Sequence, residues 1–181
     1  MTDLAKLTPG TWNVDLSHST VGFVARHLMV TKVRGKFSEF EATVTIADNP
    51  LESSVEATVQ TASFNTGESQ RDEHVKGADF LDVEQFPTMT FVSTGITQDD
   101  DDYVLTGDLT IKGQTRSVDF ELEFEGVAQD PWGGTRVGFT AETKISRKDW
   151  GLEWNVALET GGVLVGDTVK LVLDIQAVRA E

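Results

Sequence analysis

Apolar and polar residues take turns along most of this chain, and that period of two constrains the fold more than any other feature. Val118, Phe120, Leu122 and Phe124 alternate with Asp119, Glu121, Glu123 and Glu125. Phe40, Ala42, Val44 and Ile46 alternate with Glu41, Thr43 and Thr45. The same rhythm runs through 103–111, 137–145 and 169–177, and more briefly through 12–16, 21–25, 55–59 and 89–93. Successive side chains of a strand point to opposite faces, so each run has a wet face and an apolar face. About eight or nine such runs, separated by turn signals, predict an all-β chain folded as an antiparallel barrel or sandwich. The turn signals are Asp48-Asn49-Pro50, the run Asp99 to Asp102, Lys112-Gly113-Gln114 and Asp130-Pro131-Trp132-Gly133-Gly134. The four consecutive Asp read as a solvated hairpin tip, because they lack the spacing of a calcium loop.

One stretch breaks the rhythm. Residues 68–83 are rich in charges and short turns, and Ser69 followed by Asp72 predicts a helix N-cap, with Gly77 ending the helix. With 181 residues the chain suits one domain. No run is long and apolar enough to predict a transmembrane segment. The first residues show no basic region followed by an apolar one, so the expected location is cytoplasmic.

Thirty Asp and Glu outnumber fifteen Lys and Arg, for a net charge of −15. That field repels phosphate backbones, so nucleic acid is not an expected partner. Against this background, residues 16–38 hold no acidic residue but carry Arg26, Lys32, Arg34 and Lys36 with His18 and His27. Such a segment is either a patch that pairs with acidic neighbours or a site for an anionic or polar head group.

Enzyme chemistry finds little support. The absence of cysteine removes disulfides and thiolate chemistry. The three histidines show no metal-ligand spacing, so no metal is expected. Ser17 and His18 are adjacent, and in a strand neighbours point to opposite faces, so they are not expected to meet as nucleophile and base. Arg71 beside Asp72 reads as a structural ion pair. Small residues at expected inward positions (Ala25, Ala42, Ala57, Gly107 and Ala141) leave room for a cavity, or simply fit the taper of a barrel.

In order along the chain stand Trp12-Asn13-Val14-Asp15, His18-Ser19, His27-Leu28-Met29-Val30, Val33-Arg34-Gly35-Lys36-Phe37, Phe64-Asn65-Thr66, Arg71-Asp72-Glu73-His74, Phe86-Pro87 and Ser146-Arg147-Lys148-Asp149-Trp150-Gly151. With these landmarks the chain resembles the YceI-like family of polyisoprenoid-binding, lipocalin-like barrels. The resemblance implies an extended eight-stranded antiparallel barrel with short capping helices, spanning residues 11–179 after a lead-in of residues 1–10. It implies an isoprenoid-chain lipid as ligand, such as an isoprenoid quinone or a polyprenyl phosphate. It also implies a possible homodimer, while the lack of a recognisable nucleophile or metal set predicts no cofactor and no enzymatic activity. The alternatives on the same barrel are a broad scavenger of lipophilic small molecules, antibiotics included, and, ranked below it, an enzyme acting on a lipid head group. Alternation assigns Phe23, Phe40, Val44, Phe91, Leu105, Leu109, Phe120, Leu122, Phe139 and Leu171 to the cavity wall. The basic segment and the family landmarks nominate His27, Lys32, Arg71, His74 and Arg147 for the head group.

Overall fold

The computed structural model describes residues 6–28, 30–156, 158 and 164–180. Eleven strands and one α-helix are found among them: β1 (Gly10–Val14), β2 (Thr20–His27), β3 (Thr31–Phe37), β4 (Phe40–Ile46), β5 (Ser54–Gln60), β6 (Phe64–Asn65), α1 (Ser69–Lys76), β7 (Thr88–Asp99), β8 (Asp102–Ile111), β9 (Gln114–Gln129), β10 (Thr135–Ser146) and β11 (Thr168–Arg179). Every pairing is antiparallel. The order β1-β4-β5-β7-β8-β9-β10-β11 returns from β11 to β1, which closes an eight-stranded barrel.

The first three staves of this barrel are each built in two pieces. β11 pairs with β1 at residues 177–179 and with β2 at residues 170–174, so β2 continues the line of β1. A 3-10 turn at Leu16–His18 bends the chain between them. β3 and β4 form the second broken stave, and β5 and β6 the third, interrupted by a 3-10 turn at Thr61–Ser63. β6 pairs with β3 through only two residues, and β7 joins β5 instead. Beyond that point α1 and the turns of 77–86 fill the wall. The hydroxyl of Thr61 anchors them by donating to the Phe86 carbonyl at 2.8 Å.

The alternation predicted for β8 and β9 is the one that forms, with Leu105, Leu109, Val118, Phe120 and Phe124 buried. A bulge between β9 and β10 then resets the parity: Val137 faces Val127, but Phe139 faces Phe124. Gly126, at φ 141°, supplies the backbone conformation the extra residue needs. The result keeps Phe124 and Val127 both inward.

Two cores follow. One fills the barrel around Phe40, Leu105, Phe120 and Trp150. The other plugs the far end with Leu7, Trp12, Ile46, Phe124, Val137 and Ala177. Trp12 and Ala177 are wholly buried there, and the Trp12 indole donates to the Thr8 carbonyl at 3.1 Å. The helix differs by one residue from expectation: Glu68, not Ser69, is the N-cap, its carboxylate accepting from the Arg71 amide. Gly77 ends α1 as expected.

Candidate functional site

The barrel encloses a cavity of about 720 Å³. Its lining runs from Leu51 and Phe124 at the plugged end to His27, Arg71 and Arg147 at the other. The volume falls within the roughly 300–1,000 Å³ of small-molecule pockets. The wall is aliphatic and aromatic almost throughout, and its charged and imidazole side chains gather at one mouth.

Strand parity determines which side chains reach it. All ten residues assigned to the wall lie on it: Phe23 on β2, Phe40 and Val44 on β4, Phe91 on β7, Leu105 and Leu109 on β8, Phe120 and Leu122 on β9, Phe139 on β10 and Leu171 on β11. Many keep partial exposure because they border the open volume, as Val44, Phe91 and Leu171 do. Of the small residues, Ala25, Ala42, Ala57 and Ala141 border the cavity. Gly107 does not, because the Phe91 ring occupies its space: a Cβ there would come within 2.3 Å of Phe91 Cζ.

His27, Arg71, His74 and Arg147 meet around the mouth. Lys32 is not brought there. It stands one residue out of phase with Val33 on β3, which turns it to the exposed outer face. His27 ends β2 and bridges to Val165, so the loop carrying Val165 lies beside it. His74, on α1, holds Asp79 at 2.9 Å and packs edge-on against Trp154 and Phe80, with centroids 4.5 and 5.2 Å away.

Arg71 and Asp72 do not form the expected ion pair. Both grip Thr66 instead: Arg71 Nε donates to its hydroxyl at 2.8 Å, and that hydroxyl donates to Asp72 at 2.6 Å. The Thr66 amide also donates to Asp72 at 3.0 Å. Asp72 is buried, so these donors replace the water its carboxylate loses.

Arg147 is the most constrained cation of the mouth. It is 4% exposed, and its guanidinium donates to the carbonyls of Gly166 at 2.9 Å, Trp154 at 3.0 Å, Val165 at 3.3 Å, and Leu152. The fork thereby ties segment 147–154 to segment 164–166. Burial pushes its pKa down, and Asp167, 3.6 Å away, partly offsets this. With its donors committed to backbone, Arg147 shapes the mouth more than it offers hydrogen bonds to a ligand.

Ser17 and His18 do meet, contrary to the strand argument, because the chain there is a 3-10 turn. Asp15 takes the Ser17 hydroxyl at 2.7 Å and His18 Nδ1 at 2.9 Å. Serine and aspartate thus share one imidazole nitrogen, whereas a relay needs them on opposite ones. The cluster is exposed and lies outside the cavity lining.

Sequence reasoning missed Thr66, Phe80 and Trp154 as parts of the mouth. Phe80 and Trp154 sit in turns where no period predicts facing, and Thr66 acts only through its contacts with α1.

The profile of one protein family, the YceI-like domain, matches residues 12–177. Protein YceI of Escherichia coli O17:K52:H18 is 37% identical over 163 residues, covering 90% of this chain and 82% of that protein. Protein YceI of Salmonella newport is 36% identical over the same span. Among solved structures, BcnA of Burkholderia cenocepacia superposes with a TM-score of 0.74 at 28% identity, over 90% of this chain and 98% of its own. A polyisoprenoid binding domain from Saccharophagus degradans, implicated in plant cell wall breakdown, superposes with a TM-score of 0.72 over 96% of this chain and all of its own. At 13% identity that likeness carries the fold.

Proposed function

The chain belongs to the YceI-like family, and from that premise we propose that it binds an isoprenoid-chain lipid, an isoprenoid quinone or a polyprenyl phosphate, as a carrier, storage or sequestering protein. The observation that carries this reading is the largely apolar cavity, plugged at one end and charged only at its mouth. A prenyl tail fits such a channel because it gains about 0.8 kcal/mol per buried CH₂-sized group and needs no hydrogen bonds. Ordering the tail offsets much of that gain, so affinity stays within ordinary limits. The polyisoprenoid binding domain that shares the fold supports the same ligand class. His27, Arg71 and His74 are the candidates to face the head group.

A broader scavenger of lipophilic compounds is the second reading. It is favoured by how far Arg71 and Arg147 are already engaged with backbone and Thr66, which leaves few groups to choose among head groups.

Native mass spectrometry of the purified protein, with extraction of co-purifying lipid, tests the proposal. Stoichiometric isoprenoid lipid is the expected result. Ala42→Trp, which fills the half-buried inner face of β4, should abolish retention while the protein stays folded by circular dichroism. A wild-type barrel that carries none and takes up no added quinone or polyprenyl phosphate overturns the reading. Ready exchange against unrelated apolar compounds moves it to the scavenger.

A further inference from the structure

The β2–β3 hairpin tip stands at the mouth and is apolar on its outside. Val30 is 77% exposed and Leu28 41% exposed. Leu28 also sits at φ 55°, a left-handed conformation that a bulky side chain adopts only under strain. Its amide donates to the Leu164 carbonyl at 2.8 Å, and the Leu164 amide donates to Val156, itself 45% exposed. Three chain segments are thus tied side by side at the rim, and two of them, at the β2–β3 tip and at Val156, present an apolar side chain to solvent.

Directly behind this tip lies the acid-free segment. Arg26 and Lys32 face each other across the hairpin, followed by Arg34 and Lys36 on the same exposed face of β3. Among the described residues none of these four makes an ion pair. In a chain of net charge −15, a group of cations with no ion pair among the described residues, behind an exposed apolar tip, is complementary to one kind of surface. Apolar side chains enter the acyl boundary, and cations sit among anionic head groups.

We propose that the β2–β3 tip, with Val156 beside it, docks the mouth of the barrel onto an anionic lipid bilayer. The use of such docking, exchange of a lipid between bilayer and cavity, rests on the function proposed above. Acidic residues elsewhere on the mouth bias the orientation: Glu68 capping α1, Glu73 on it and Asp79 after it are exposed and repelled by the same surface, so the barrel sits with the β2–β3 tip down.

Two measurements on the full chain separate docking from cavity binding. The first is co-sedimentation with vesicles of phosphatidylcholine mixed with phosphatidylglycerol, against phosphatidylcholine alone. The second is uptake of farnesol from solution, which needs no bilayer. Wild type should partition to the anionic vesicles and release as salt rises. Val30→Asp should weaken that partition roughly tenfold, and the combined Lys32→Gln, Arg34→Gln and Lys36→Gln variant roughly a hundredfold. Val30→Asp alters a side chain that is 77% exposed and should leave farnesol uptake as in wild type. Farnesol uptake without preference for anionic vesicles overturns the docking and spares the cavity. Vesicle binding with the expected variant pattern but no uptake supports the docking and overturns the cavity reading. The docking also falls if Trp132→Ser, at the other end of the barrel, abolishes partition while Val30→Asp does not, or if the same cations bind duplex DNA and not vesicles.

Discussion

Asp15 gathers donors from two parts of the chain. The Ser17 hydroxyl, His18 and Arg136 hold its carboxyl well below the usual carboxylate range. Asp130 is lowered as well, first by the Gly134 amide and then by Arg136, which lies 2.9 Å from it and 2.7 Å from Asp15. A carboxylate whose folded pKa is depressed adds stability that is complete above about pH 4 and is lost as pH falls toward the folded value. Melting temperature followed from pH 2 to pH 6 should therefore fall on the acid side, and Asp15→Asn should flatten that limb. Arg147 gives a second prediction. Its fork serves four carbonyls, so Arg147→Lys, with compact donors, should lose about 3 kcal/mol or more in urea unfolding. An unchanged midpoint would show that water replaces the fork. The sequence singled out Arg147 but not its occupation, because the carbonyls it holds lie 5 to 19 residues away in turns without periodicity.

Strands were the most legible level. Period-2 alternation located the inward faces because burial on one side of a sheet leaves a direct trace in composition. What it did not show is where staves break or shift: the 3-10 turn at Leu16–His18, the two halves of β5 and β6, and the bulge that turns Val127 inward. These depend on partner strands far away in sequence. Glycines show the same limit. Gly107 reads as spare room, yet the structure uses it to seat Phe91, with the Val92 carbonyl only 2.7 Å from where a Cβ would stand. Gly107→Ala should therefore destabilise by about 1–3 kcal/mol. Gly95, on the neighbouring β7, has nothing within 4 Å, and Gly95→Ala should stay within about 0.5 kcal/mol. Equal shifts in the two urea midpoints would contradict the packing described for Phe91.

For the molecule as a whole, a ligand that binds only the folded barrel should raise its stability with concentration. A hundredfold excess over Kd adds about 2.7 kcal/mol, or roughly 5–11 °C in a domain of this size. A thermal shift with added isoprenoid quinone checks this, and Ala42→Trp should remove it. The two-piece staves have a consequence of their own. At the plugged end, β1 is clasped between β4 and β11 around Trp12. At the mouth, β6 is held by two residue pairs and the wall is completed by α1. Free energy for opening is thus graded along the axis. Deuterium should enter the amides of β6, α1 and the β2–β3 tip long before those of β9 and β10. Closing a hydrogen-bonded cylinder is often taken to make it uniformly rigid. Here one rim is sealed like a thimble, while the other should open first and leave the rest zipped.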